Sequence, residues 1–350
     1  MRWDCAETYS SALATIVDAQ HRQPLAARFG EMIVASSDGQ HFRAGGPAEA
    51  RSVVNAKYGR EPGAAFYTHI SGRYAPFHSR LIPASAGETP FVLGGLLDHG
   101  GDFDIEINHA DTGGVSDHNF GITYLLGYRF APRIRNLRDR RLYTFKTITT
   151  YPTLRPIIDG RINIRLLRET WDDLLRFAAS LQNGSIDAAT ALKRLAAYPE
   201  QNRIASALRE LGRIVRTLFT IDWILDPGLR RQATEELNKG EGRNNLARAV
   251  FHHRLGELRD RTAEAQASRA SGLNLLTSAI ILWNTVYLDR AIAAATARKQ
   301  PIPDHLIRHI APLGWEHIIL TGDYIWSFDP PKTPDGYRLL RDPSQSLLAA

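Results

Sequence analysis

The stretch that decides how this chain folds is Met32-Ile33-Val34-Ala35-Ser36-Ser37-Asp38-Gly39-Gln40. A short, partly β-branched apolar run ends in an aspartate followed by glycine, which reads as a buried strand emptying into a turn. A second stretch of the same kind is Phe103-Asp104-Ile105-Glu106-Ile107-Asn108, whose strict alternation predicts one buried and one wet face; Asp111 lies just beyond it, in His109-Ala110-Asp111-Thr112-Gly113-Gly114. A third acid sits in Asn238-Lys239-Gly240-Glu241-Gly242-Arg243-Asn244-Asn245. Leu246, Val250, Phe251, Leu255 and Leu258 follow it at helical spacing, so Glu241 is expected at or just before the start of a helix.

The chain holds 37 Asp and Glu residues, so context has to separate these three from the rest. A carboxylate at a strand end is held rigidly and still meets solvent, as a metal ligand must. If Asp38, Asp111 and Glu241 converge, they form an oxygen-only pocket for two divalent cations, the apparatus that activates water or a 3′-hydroxyl against a phosphodiester. Two strand-end aspartates and a helix-borne glutamate are what an α/β (α+β) ribonuclease H-like mixed-sheet core requires. Taken singly, each acid also has an ordinary explanation: Asp38 and Asp111 as turn formers before glycine, Glu241 as a surface residue at a helix N-terminus. Among the other acids, Asp102, Asp104 and Glu106 fit a solvent-facing strand edge, Asp117 supports the site, and Glu235 and Glu236 read as exposed helix charges. His109 and His118 flank the site and are read as structural.

Several stretches together resemble the catalytic region of Tn3-family transposases. They are Ser36 to Gln40, Asp111 to Gly114 with Asp117-His118-Asn119-Phe120-Gly121, Leu126 to Ile134, and Leu237 to Glu241, and the likeness runs collinearly from about residue 7 to about residue 326. The resemblance implies that Asp38, Asp111 and Glu241 are an Asp-Asp-Glu triad holding two Mg2+ ions, for which Mn2+ can substitute. It implies cleavage at transposon ends and transfer of the freed 3′-hydroxyl into target DNA, with double-stranded DNA as partner and a homodimer assembled on it. The departures touch no carboxylate: Val115 and Ser116 stand where the family often has Tyr and Thr, and Gly242 where Ala is frequent. Members are much longer and carry DNA-recognition domains ahead of this region, so the chain reads as a C-terminal catalytic portion. Two alternatives stay open: a non-catalytic DNA-binding or regulatory remnant, and a metal-dependent nuclease without strand transfer.

The formal net charge of +6 suits a polyanionic partner, and its distribution says more than its sum. Arg129, Arg133, Arg135, Arg138, Arg140 and Arg141 are offset within that run by Asp139 alone. Arginine forks grip phosphate oxygens bidentately. Lys239 and Arg243, which bracket Glu241, are the first expected phosphate contacts, followed by Arg129, Arg133 and Arg135.

Cys5 is the one cysteine, which excludes an intrachain disulfide and a Cys-rich zinc module and makes a reducing cytosol the natural setting; the resemblance implies that this is a bacterial cytosol, with association to the nucleoid. No basic region leads into an apolar run at the N-terminus. The longest apolar stretch, Leu273 to Leu288, is interrupted by polar residues and falls short of the about 20 needed to span a membrane. It is expected to be a buried core helix.

The predicted organisation follows texture. Residues 1–30 form a helical segment, and 31–150 the core carrying the first two acids. A helical insertion spans 151–235, with apolar helical periodicity at Leu166, Leu167, Trp171, Leu174, Leu175 and Phe177 and again from Ile204 to Leu218. Residues 236–262 bring the third acid, 263–328 continue as helices, and 329–350 are a polar tail.

Overall fold

In the computed structural model, residues 6–44, 53–54, 62–83, 87–197, 202–251, 256–322 and 336–340 are described. The expected tail from Asp329 lies mostly outside them. The chain is a mixed α/β fold built on one twisted sheet.

Helix α1 (Ala6–His21) leads into strands β1 (Val34–Arg43), the two-residue β2 (Val53–Val54), β3 (Pro62–Ser71) and β4 (Pro76–Pro83). The short helix α2 (Gly94–Leu97) precedes β5 (Ile107–Ala110), α3 (Asp117–Leu125) and β6 (Arg129–Phe130). β1 pairs antiparallel with β3, which pairs antiparallel with β4 and β2; on its other side β1 runs parallel to β5, and β5 parallel to β6. This antiparallel half joined to a parallel half through β1 agrees with the mixed-sheet core anticipated from the acids.

A small parallel pair follows, β7 (Leu142–Thr144) and β8 (Ile158–Arg161). Then come α4 (Ile164–Gln182), α5 (Ala188–Ala197), α6 (Arg203–Leu225), α7 (Pro227–Val250), α8 (Ala263–Ala297) and α9 (Asp304–Ile307). Most long helices open on a side-chain cap that takes an otherwise orphaned N–H: Ser116 for α3, Asn163 for α4, Asn202 for α6, Asp226 for α7 and Thr262 for α8. Among the described residues from 151 onward, β8 is the one named strand and every other named element is a helix. β8 forms because Ile158, beside Leu142, is buried and Tyr143 N–H donates to Thr217 Oγ1 on α6. Of the periodic apolar residues, Leu167 and Leu174 are buried, whereas Trp171, Leu175 and Leu218 remain exposed.

Two strand readings need correction. β1 starts at Val34 and continues to Arg43, so Asp38 lies inside the strand rather than at its end. The alternating stretch begins to pair only at Ile107; Phe103 and Ile105 are buried while Asp104 and Glu106 are exposed, but Phe103 to Glu106 are not in a strand. Alternation reports which residues face the core, not whether a neighbouring strand is there to hydrogen-bond.

The main core cluster joins the helices to the sheet, with Leu174, Leu181, Leu208 and Leu211 packed with Ala35, Leu93 and Ile122. α3 crosses α6 at near backbone contact: a Cβ on Gly121 would stand 2.6 Å from Leu208 O, and one on Gly212 1.7 Å from Asp117 O. Asp117 fixes the same crossing through Arg216 at 2.8 Å. α8 carries Leu273, Ile280, Ile281 and Val286 into the interior. No helix among the described residues is long and apolar enough to cross a membrane.

Because backbone atoms cannot yield to a new methyl group, Gly212→Ala is expected to cost about 3 kcal/mol of stability. Gly240→Ala is the contrasting change: its Cβ would stand 3.7 Å from Ser36 Oγ, an ordinary separation, and a helical alanine is favoured over glycine by about 1 kcal/mol. Urea unfolding of the two variants checks both; a Gly212→Ala protein as stable as the parent would refute the close crossing.

Candidate active site

The parallel register brings the first two acids together. β1 and β5 pair through Ser36↔His109 and Ser37↔Ala110, and one step beyond the last pair stand Asp38 and Asp111. Neighbouring strands lie about 4.8 Å apart, so the two residues emerge side by side. β1 alternates as a strand must: Ser36, Asp38 and Gln40 turn toward α7, while Ser37 turns to the other face and takes the Tyr67 hydroxyl at 2.9 Å.

α7 lies across this face and supplies Glu241. Ser36 Oγ donates to Glu236 O at 2.8 Å, and Gln40 Nε2 donates to Asn244 O at 2.7 Å, so two buried side chains of β1 grip the helix backbone two turns apart. Gly240 is buried against the sheet and Glu241, the next residue round the helix, is exposed at its edge. The expectation that Glu241 opens a helix is corrected: α7 begins fourteen residues earlier, where Asp226 caps Gly228 N–H at 2.7 Å and Pro227 occupies the first turn. Gly240 and Gly242 do not break it, because packing against β1 outweighs their low intrinsic helix propensity.

Asp38 is the electrostatic centre. Burial raises its pKa above the ordinary aspartate range, and the Asp111 and Glu241 charges push in the same direction. Hydrogen bonds oppose them, from Gly39 N–H to Oδ1 at 2.9 Å and from Asn244 Nδ2 to Oδ2 at 3.0 Å. Asp111 takes Arg133 Nε and Nη2 on its Oδ1 at 3.2 and 3.0 Å, which leaves Oδ2 open to a cation. Arg133 reaches it because the chain after β6 continues beside β5, with Arg133 N–H on Ala110 O at 2.9 Å.

The donor set is chemically suited to a hard divalent cation, being made of carboxylate oxygens. Among the described residues no group of three His, Cys, Asp or Glu side chains is close enough to hold a metal ion as it stands. Asp38 feels the charges of Asp111 and Glu241 without the three being drawn into one ligand set. Mutual repulsion keeps such carboxylates apart until a cation offsets it.

The expected phosphate contacts separate into two groups. Lys239 and Arg243 are buried at 8% and 2% exposure, which removes them from any phosphate. Lys239 Nζ donates to Phe29 O at 3.1 Å, Gly72 O at 2.8 Å and Glu236 Oε1 at 2.7 Å, tying α7 to the turns that precede β1 and follow β3. Its partner Glu236 is correspondingly buried, not the exposed charge anticipated. Arg243 donates to Asn244 Oδ1 and Asn274 Oδ1, and burial lowers its pKa to about 10. These two cations bracket Glu241 in sequence, yet helical rotation turns them inward. Arg129 is exposed and pairs with Asp222 at 3.3 Å, Arg133 is half-buried on Asp111, and Arg135 is exposed.

The histidines are structural. His109 is fully buried on Ala131 O, with its pKa lowered to about 4 by burial, and His118 is hydrogen-bonded to Ala205 O. Asp117 is engaged with Arg213 and Arg216 on α6. The residues that sequence reasoning passed over are Gln40, Asn244 and Asn274. Asn244 lies one helical turn after Glu241, and that i, i+3 spacing was the signal that could have found it.

These features define a mixed α/β domain in which Asp38 and Asp111 emerge side by side from parallel strands. The model of the Tn3 transposase DDE domain matches residues 4–324, and the chain belongs to that family. It is 52% identical over 339 residues to the transposase for transposon Tn501 of Pseudomonas aeruginosa, covering 97% of this chain and 34% of that protein. With the transposase for transposon Tn21 of Escherichia coli it shares 51% identity over 320 residues, covering 91% of this chain and 32% of the relative. A more distant relative, the transposase for transposon gamma-delta of Escherichia coli (strain K12), is 34% identical over 324 residues, covering 92% and 32%. The chain thus spans about a third of the length of these relatives.

Lys239→Met would strand two backbone carbonyls and a buried carboxylate, and is expected to cost about 3 kcal/mol at neutral pH. The Glu236 pKa is already raised by burial and held down by Lys239, so losing the lysine raises it further. A carboxyl whose folded pKa exceeds its unfolded value near 4.5 disfavours folding above that folded pKa, so the deficit should shrink as pH falls through it. Arg129→Ala, at an exposed pair, should change stability by no more than about 0.5 kcal/mol. Urea midpoints measured across pH distinguish the two.

Proposed function

We propose that this chain is the catalytic domain of a DNA transposase, with Asp38, Asp111 and Glu241 as its metal-binding triad. The observation that carries the reading is the side-by-side emergence of Asp38 and Asp111 from parallel strands, with Glu241 near enough to raise the Asp38 pKa. Membership in the Tn3 transposase DDE domain family supports it.

A phosphodiester resists attack because its charge repels nucleophiles and its leaving alkoxide is poor. When bound by Asp38, Asp111 and Glu241, two Mg2+ or Mn2+ ions would supply activation of the attacking oxygen and stabilisation of the departing one. The chain's own residues set the conditions for this. Gly39 N–H and Asn244 fix the Asp38 carboxylate plane, the β1–β5 register holds Asp111 beside it, and α7 presents Glu241 from the solvent side. Hydrolysis at a transposon end would free a 3′-hydroxyl, which the same site would direct at target DNA. Double-stranded DNA is the substrate and partner in this reading, and joining two ends calls for a homodimer on DNA.

Arg133 and Arg135 are our choice for phosphate contacts. Arg135 is exposed, and Arg133 can release Asp111, a half-exposed partner, when a cation takes that carboxylate. Arg129 is open to solvent across its pair with Asp222 and is a secondary contact.

Incubating the protein with intact and pre-nicked transposon-end DNA in Mg2+ or Mn2+ tests the reading. Metal-dependent strand joining is expected, falling by about three orders of magnitude or more in Asp38→Ala, Asp111→Ala and Glu241→Ala. Cleavage without joining would instead indicate a nuclease, and metal-independent binding alone a non-catalytic remnant. For the DNA face, the double variant Arg133→Ala/Arg135→Ala should reduce the slope of log affinity against log salt by about two, roughly one unit for each phosphate left unneutralised. An unchanged slope removes both residues from the interface.

A further inference from the structure

We propose that Asn244 is a positioning residue for Asp38, and that the buried Arg243–Asn274 pair serves to hold the Asn244 amide in the one orientation that can do so. The inference rests on the reading of Asp38 as a metal ligand and adds to it residues that do not themselves touch a metal.

A carboxamide can be seated two ways, with its oxygen and its NH2 exchanged. Arg243 removes that freedom. Its guanidinium can only donate, and its Nη1 lies 3.2 Å from Asn244 Oδ1, so the oxygen must face the arginine. The NH2 is then directed at Asp38 Oδ2, 3.0 Å away. In the opposite seating the amide oxygen would confront a carboxylate and the NH2 a guanidinium, two repulsive approaches in a buried setting.

Arg243 is itself pinned from a third element. Its Nη2 donates to Asn274 Oδ1 on α8 at 2.7 Å, and Asn274 Nδ2 donates to Pro76 O at 3.2 Å. Asn274 is fully buried and Arg243 is 2% exposed, so water cannot substitute for either partner. Burying an arginine on two neutral amide oxygens is a costly choice for structure alone. It becomes intelligible if the guanidinium is there to orient the amide and to place a positive charge behind Asp38.

The same residue is anchored twice to β1. The Asn244 carbonyl accepts from Gln40 Nε2 at 2.7 Å, two residues along the strand from Asp38. With Gly39 N–H on Oδ1 and Asn244 on Oδ2, each Asp38 oxygen has one fixed donor, and a second lone pair on each can serve a cation. Asn244 does not offer its oxygen to a cation beside Asp38 in this seating, because that oxygen faces Arg243 and the NH2 faces Asp38. Its contribution is to set the direction in which Asp38 offers its own oxygens, the kind of support whose loss typically weakens a metal site by about 10- to 100-fold.

Two measurements on the whole chain decide the matter. The first is a double-mutant cycle between Asn244→Ala and Asp38→Ala, read by urea unfolding in chelator. The two changes should be coupled, the folding equilibrium constant of the double variant departing about tenfold from the product of the single effects. The second is Mn2+ affinity from the electron paramagnetic resonance of the free ion. Asn244→Ala should weaken binding at least about tenfold. Asn274→Ala should weaken it in the same direction although two residues stand between it and Asp38, and Asn274→Asp, which keeps an acceptor for Arg243 and gives up the hydrogen bond to Pro76 O, should weaken it less than Asn274→Ala does.

Additive effects in the cycle would overturn the proposal by showing that the hydrogen bond contributes nothing in solution. Coupling accompanied by equal Mn2+ affinity in parent and folded variants would also overturn it, leaving a purely structural role. Failure of the parent protein to bind Mn2+ is a different result, which overturns the metal reading of Asp38 and the positioning role together.

Discussion

Everything distinctive about this molecule follows from the way α7 is held against β1. A helix laid on the polar centre of a sheet gains little from apolar burial there, so it must be held by hydrogen bonds whose partners are fully enclosed. Ser36 and Gln40 grip the helix backbone, and Lys239 reaches the carbonyls of Phe29 and Gly72. Each of these bonds is costly to leave unmade, which makes the docking specific as well as stable. The result fixes α7 in both rotation and height, and so decides where Glu241 stands relative to Asp38.

That docking carries an electrostatic cost. The Asp38 carboxyl is driven toward its neutral form by burial and by two neighbouring negative charges. Arg243 answers it from the interior, while Arg133 pairs with the neighbouring Asp111. A destabilised carboxylate beside other acids is a common mark of functional sites, where strain is tolerated because a ligand relieves it. The contrast with Asp117 is instructive: it too is raised by burial, but two arginines on α6 close around it and it serves the α3–α6 crossing.

The errors in reading the sequence are physically of one kind. Glycines on either side of Glu241 looked like a helix boundary, while the true boundary, the cap-and-proline pair Asp226-Pro227, was passed over in a run already assigned as helical. Lys239 and Arg243 looked like hands for phosphate because lysine and arginine near a catalytic acid often are. Nothing local distinguishes them from Arg135. The difference arises only when α7 is rotated onto β1, which turns positions 239 and 243 inward and leaves 241 at the edge. Likewise the run ending at Asp38 looked like a strand terminus, because its polar continuation to Arg43 pairs with β3 through backbone groups that every residue carries.

Residue order alone was enough to propose the three acids, and to read the alternation of strand and helical texture and the family to which the chain belongs. Those are local signals: periodicity, turn chemistry and motif spacing survive in a linear string. Which cations are buried, which amide faces Asp38, and how close Glu241 comes to the aspartates were settled by packing between segments some two hundred residues apart, as between Gln40 and Asn244. Burial and hydrogen-bond partnership are properties of pairs brought together by the fold, and no single stretch of chain contains both members.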